Sequence, residues 1–191
     1  TDKILLHPSS INGIKTKLLL KENDDVKIGT PLFFDKKNPD VMFVSPGSGK
    51  IKKITYGERR SIDSIEIELD GSHSHEDTYN SISIETLSKT GLLSFVRQRP
   101  FSKVANPNKM PKSIFISAMP TAPYAINYSF LYNIDHEKKY NGYRVMDNFY
   151  TNLNKGVEVL KKITNCDINI ITEKSNESIF KINNVNQLSP A

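Results

Sequence analysis

The sequence predicts an α+β chain, an all-β module followed by an α/β module of the βαβ kind. Three observations predict it. Short apolar runs broken by turn residues fill residues 3–70. After residue 81 apolar residues recur at helical spacing, and between 113 and 172 a strand-like run, a helical run and a second strand-like run follow in order. The 191 residues suit one ordinary domain or two small ones, and the change of period places the division at 1–76 and 77–191.

In the first module, strands are expected at 14–20, 31–34, 41–44, 49–54 and 64–69. Turn chemistry separates them at Asn23-Asp24, Asn38-Pro39, Pro46-Gly47 and Tyr56-Gly57. Ser64 to Leu69 alternates polar and apolar, as a half-buried antiparallel strand does. Residues 70–80 are polar and read as a linker. Ser83 then N-caps a helix that carries Ile84, Leu87, Gly91, Leu92, Phe95 and Val96 on one side and stops at Pro100. A strand at 113–118 ends in the turn between Pro120 and Pro123, and a loop rich in Tyr and Asn follows. Phe149, Leu153, Val157, Leu160 and Ile163 mark a helix opening near Asp147, with Lys161 and Lys162 favouring its C-terminal dipole. A strand at 168–172 completes a βαβ unit, which implies a parallel pair and a right-handed crossover.

Composition narrows the function classes. Hydrophobic residues make up 37% and charged residues 25%, so the core is economical and the surface ordinary. No window approaches the roughly 18 apolar residues of a membrane span, and no secretory leader is visible. The chain opens on Thr1 and its first methionine is Met42, so it reads as an interior piece of a longer protein. A single cysteine, Cys166, excludes an internal disulfide and a Cys-rich metal site, and it fits a reducing, cytoplasmic setting. The net charge of +5 is scattered over separate basic pairs with no accompanying motif, which argues against nucleic acid as a partner. No G-x-G-x-x-G or P-loop occurs.

Several side chains are candidates for chemistry. Arg97, Arg99 and Phe101, around Pro100, could anchor a partner protein or the carbonyl oxygens of a quinone; the plainer reading is a helix end with solvated cations. Arg59 and Arg60 read as a contact pair or as a solvated hairpin turn. His73 and His75 have ligand-like spacing but sit in the linker, and Cys166 reads as a quiet, half-buried thiol. Tyr124, Tyr128, Tyr132 and Tyr140 could stack on a planar ligand, or simply pack on their own sheet.

Two resemblances sharpen this. The spacing Val26, Gly29, Leu32, then a lysine-bearing hairpin, then Ser45-Pro46 and Gly49, looks like the biotinyl/lipoyl-carrier family. That resemblance implies a barrel-sandwich fold, and it makes Lys36 or Lys37 a candidate acceptor for lipoate or biotin. Against that role, the hairpin reads as Asp35-Lys36-Lys37-Asn38-Pro39, one residue out of step and braced by proline. Asn23 stands where such domains carry glycine, and asparagine is among the better residues at positive φ.

The run Phe34 to Gly49, Gly57-Glu58-Arg59-Arg60, Gly91-Leu92 leading to Arg97-Gln98-Arg99-Pro100-Phe101, Pro111 to Met119 and the helix from Asn154 to Thr164 occur in an order that resembles the NqrA family, which belongs to the bacterial sodium-translocating NADH:quinone reductases. Pro120 departs from the polar residue usual there. The resemblance implies a Rossmann-like second module related to the flavin-bearing subunit of complex I. In that relative the stretch after Ser-Gly-Leu is a glycine-rich flavin loop. Here 92–104 holds no glycine, which implies a descendant without the cofactor. The implied function is a peripheral subunit on the cytoplasmic face of the inner membrane, without catalytic residues, cofactor or metal of its own. It would dock on the membrane subunits of a complex that passes electrons from NADH, through flavins and iron–sulfur, to ubiquinone or menaquinone while exporting sodium. The rival classes are a lipoyl or biotinyl carrier and a free-standing flavin or NADH enzyme.

Overall fold

The computed structural model describes residues 2–77, 79–118, 145–171 and 185–188; in the first helical turns, 145–151, only the backbone is described. Two compact units are present, Thr1–Lys109 and Met110–Ala191.

The first unit is built on two antiparallel sheets. One has the order β1 (Lys3–Leu6), β7 (Ile62–Leu69), β6 (Gly49–Tyr56), β3 (Asp25–Val26). The other has the order β2 (Thr16–Leu18), β4 (Pro31–Asp35), β5 (Asn38–Val44). Their inward residues form one core: Val26, Ile51, Ile54, Ile62, Ile65 and Ile67 from the first sheet, and Leu32, Phe33, Val41 and Phe43 from the second. Alternation decides which residues enter it, since Ile65 and Ile67 are fully buried while Glu66 and Glu68, which alternate with them, bond Lys3 and Lys52 at the surface. The Phe33 and Phe43 rings stack at 4.7 Å directly across β4 and β5. Pro39 is tolerated because β5 is the edge of its sheet.

Backbone corners fix how the sheets join. Gly49 opens β6 at φ +154, where an added Cβ would lie 1.9 Å from the Glu68 carbonyl oxygen, so no side chain fits. Asn23 adopts φ 72, as its place in the sequence suggests, and its N–H donates to the Ile51 carbonyl at 2.7 Å.

Two expectations need correction. Residues 70–76 are not a free linker. The backbone pairs with Ile28 through Ser74, His75 and Glu76, and the Thr30 hydroxyl donates to the Glu76 carboxylate at 2.5 Å. The helix expected from Ser83 to Pro100 is also much shorter. Ser83 does cap it, accepting from the Thr86 N–H at 3.1 Å, but α1 spans only Ile84–Lys89. Gly91 at φ +75 terminates it in the left-handed conformation usual just past a helix end. A Cβ there would press on Val44 at 2.9 Å, so glycine also lets the chain close onto β5. A 3-10 turn, Leu92–Phe95, and a two-stranded ribbon, β8 (Arg97–Gln98) with β9 (Lys103–Val104), follow within the same unit.

In the second unit β10 (Ser113–Ser117), α2 (Val145–Thr164) and β11 (Asp167–Ile171) form the expected βαβ arrangement with β10 and β11 parallel, and β12 (Asn186–Leu188) adds a third parallel strand beside β11. Val157, Ile168 and Ile170 are its buried apolar residues among those described. The turn at Pro120 lies outside the described residues.

Candidate functional site

Four of the five arginines fall in the two clusters singled out from the sequence, and both clusters are in the first unit. Arg59 and Arg60 form the tip of the β6–β7 hairpin, between Glu58 and Ser61. Both are left-handed, at φ 54 and φ 58, and Ser61 N–H closes the turn on the Glu58 carbonyl at 3.0 Å. Mirror-image hairpin turns of this kind normally use Asn or Gly, because another residue costs roughly 1–2 kcal/mol in that conformation. Here two exposed arginines occupy it.

The second cluster is a ribbon, not a helix end. Arg97 faces Val104 and Gln98 faces Lys103, with Arg99 to Ser102 as the connecting turn. Val104 packs on the sandwich core and so anchors one side of the ribbon. Arg97 Nη1 donates to the Ser94 carbonyl at 2.5 Å, and Arg99 Nη1 donates to the Ser102 hydroxyl at 2.9 Å. Each guanidinium is thus oriented by one bond, and both residues are exposed, with further N–H donors to offer. Phe101 is 74% exposed, with the Lys103 ammonium 5.8 Å from its ring centroid.

Sequence periodicity missed part of this surface. Leu92 and Phe95 were expected on a buried helix face, yet they are 56% and 80% exposed, while Leu93 packs on the core and Ser94 is buried. The switch from α to 3-10 geometry after Gly91 is the cause, because residues three apart eclipse in a 3-10 turn and Leu92 and Phe95 turn outward together. Gly91 was the available signal: a glycine just past a short capped helix ends the α period there.

The other candidates separate. Lys36 and Lys37 are the two tip residues of the β4–β5 hairpin, so the expected offset is corrected: Asp35 pairs with Asn38 and the lysines stand centrally. Buried Asp35 fixes the tip by accepting the N–H groups of Lys15 and Lys37 at 2.7 and 3.1 Å. The Lys37 ammonium folds back to the Gly13 carbonyl at 3.1 Å. His73 and His75 sit in the pinned strap, and among the described residues no three His, Cys, Asp or Glu gather as metal ligands. Cys166 is half-buried just beyond α2, its thiol 3.2 Å from the Thr164 hydroxyl. Tyr124, Tyr128, Tyr132 and Tyr140 lie outside the described residues.

The Ser72 backbone N–H and the Ser48 and Ser72 hydroxyls hold the Asp70 carboxyl below its ordinary range. On α1 the hydrogen bond and attraction between Glu85 and Lys89, at 2.6 Å, lower the acid and raise the amine. Among the described residues no helix is long and apolar enough to cross a membrane.

Fold and surface together define a two-part module, an antiparallel barrel-sandwich followed by a parallel α/β unit, whose distinctive feature is an exposed arginine–phenylalanine ribbon. Residues 1–70 match the NqrA N-terminal barrel-sandwich hybrid domain and residues 80–189 match the NqrA second alpha/beta domain. The chain belongs to the NqrA family. It is 44% identical over 123 residues to the NqrA component of the Na(+)-translocating NADH-quinone reductase of Yersinia pestis, covering 59% of this chain and 28% of that protein. For the protein of the same name from Pseudomonas aeruginosa the identity is 40% over 124 residues, 60% of this chain and 28% of the relative. For that of Photorhabdus laumondii it is 37% over 144 residues, 70% and 32%. The matched region is therefore less than a third of each relative's length.

Proposed function

We propose that the chain is the leading part of a peripheral subunit of a sodium-translocating NADH:quinone reductase, and that it contributes docking surface rather than redox chemistry. The carrying observation is the ribbon at 97–104: two oriented guanidinium groups and an exposed ring on a backbone anchored to the sandwich core through Val104. Arginine and aromatic residues are the types that dominate binding energy at protein interfaces. Docking is favoured over direct quinone contact because Phe101 projects into solvent, whereas a headgroup needs a recess. Arg59 and Arg60, held in an unfavourable conformation at a second hairpin tip, are assigned to the same class of contact.

The cofactor-free reading draws on the stretch 92–104. Where kinship with the complex I flavin subunit implies a glycine-rich loop, this chain has a 3-10 turn and a ribbon filled with side chains. Such a segment offers no run of bare N–H groups to a phosphate. Kinship of the sandwich with biotinyl/lipoyl carriers is supported by the central position of Lys36 and Lys37, but Lys37 is engaged with Gly13, which favours a reused scaffold. Division of the family domains at 1–76 and 77–191, and placement on the cytoplasmic face of the membrane, belong to this proposal too. Tagged full-length protein purified from detergent-solubilised membranes should bring down the membrane subunits of the reductase and be colourless once separated from them. Purification without those companions, or a stoichiometric flavin band in the separated protein, would refute it.

A further inference from the structure

The geometry points to an acidic, apolar-bearing segment of another polypeptide as the occupant of the ribbon and the turn before it. This rests on the docking reading above and specifies the partner's chemistry. Leu92 and Phe95 stand outward together on the 3-10 turn, and the ribbon that follows carries Arg97, Arg99, Phe101 and Lys103. Three cations and three large apolar side chains thus project from twelve consecutive residues, and the same stretch, 92–103, holds no acidic residue. Charge complementarity requires a partner rich in carboxylates. The apolar side chains require that the carboxylates be interleaved with Leu, Ile, Val or aromatic residues.

A protein segment fits better than an anionic membrane. The arginines are oriented by bonds to Ser94 and Ser102, which prepares each planar fork for a carboxylate in a fixed position. Diffuse attraction to lipid headgroups needs no such orientation. Three cations near a surface attract anionic lipid too weakly to hold a folded unit there by themselves.

The test uses the full-length protein in the membranes of a cell that makes the whole complex. A photoreactive benzoylphenylalanine replaces Phe95 or Phe101, one at a time, and the adducts are mapped by mass spectrometry. The expected adduct lies on another subunit, within a few residues of at least two Asp or Glu. Arg97→Glu with Arg99→Glu should then lower retained partner at least about tenfold. Changing the mapped carboxylates to Lys should restore most of that loss. If the Glu pair fails to fold, changing the mapped carboxylates to Lys with Arg97 and Arg99 intact takes its place and should lower retained partner at least about tenfold; retention unchanged by that change would overturn the inference. Adducts to lipid, to a second copy of this chain or to nothing above the unirradiated control would overturn the inference. So would a protein adduct whose charge reversal rescues nothing in the Glu pair. If Arg97→Ala with Arg99→Ala leaves assembly untouched, the docking reading itself fails. If the alanine pair weakens assembly but the adduct is lipid, only the partner's chemistry is wrong.

Discussion

Replacing Gly91 by alanine separates two costs that are usually confounded, backbone strain and steric contact. Gly91 and Gly71 have nearly the same left-handed backbone, φ 75 and φ 71. An added Cβ at Gly71 meets nothing within 4 Å, whereas at Gly91 it meets Val44 Cγ2 at 2.9 Å and Cγ1 at 3.2 Å. Left-handed alanine costs roughly 1–2 kcal/mol, offset by about 0.4–1 kcal/mol because alanine restricts the unfolded chain. Gly71→Ala should therefore lose about 1 kcal/mol or less. Gly91→Ala adds an overpacking cost of about 1–2 kcal/mol, since β-branched Val44 cannot swing away freely, for a total near 1–3 kcal/mol. Urea titration followed by circular dichroism is the suitable assay, because the chain has no tryptophan. Adding Val44→Ala removes the obstructing methyls, so its own cost should be smaller in the Gly91→Ala background than in the parent, a coupling of about 1 kcal/mol. Equal losses for the two glycine variants, or additive behaviour with Val44→Ala, would show that closure of the 3-10 turn onto β5 does not depend on this contact.

Gly49→Ala, whose Cβ would collide with the Glu68 carbonyl, should cost about 3 kcal/mol or more and be seen as loss of the cooperative urea transition of the sandwich. Gly156→Ala, in open space on α2, should instead stabilise that helix by about 0.5–1 kcal/mol, measured by amide exchange within α2. The Asp70 carboxyl is lowered by its bonds to Ser72 and Ser48, so its contribution is present above the ordinary carboxylate pKa and lost as pH falls through the lower, folded value. Asp70→Asn should accordingly weaken exchange protection at Ser72 near neutral pH and match the parent in strong acid; equal protection at both pH values would refute the assignment. Intact mass after expression with lipoate or biotin ligase should show Lys36 and Lys37 unmodified, and an adduct on either would revive the carrier reading.

Much of the fold was legible because binary patterning is strict where two faces differ. Ser64 to Leu69 alternates and proves half-buried, and the Ser83 cap and the parallel pair around α2 follow from local signals. Short strands escaped notice because their pairing is set at a distance: β1 gains its register from β7, and β3 is only Asp25–Val26, paired to β6. The polar strap at 70–76 looked like a linker since its pairing partners, Ile28 and Thr30, lie about 46 residues away. Sequence singled out Arg97, Arg99 and Phe101 as candidates but placed them at the end of a helix that Gly91 had already stopped. That error hid Leu92 and Phe95, which a continuous helix would have buried.

Retention of the membrane subunits by full-length protein carrying Arg97→Ala and Arg99→Ala, compared with its thermal midpoint, decides whether the ribbon is a contact surface. A desolvated arginine hot spot contributes about 2–4 kcal/mol to binding, while an exposed cation contributes well under about 1 kcal/mol to stability. The double variant should melt within a few degrees of the parent and retain its companions at least about tenfold less well. A lowered midpoint with unchanged retention by the surviving folded protein would make the arginines structural and contradict the docking role.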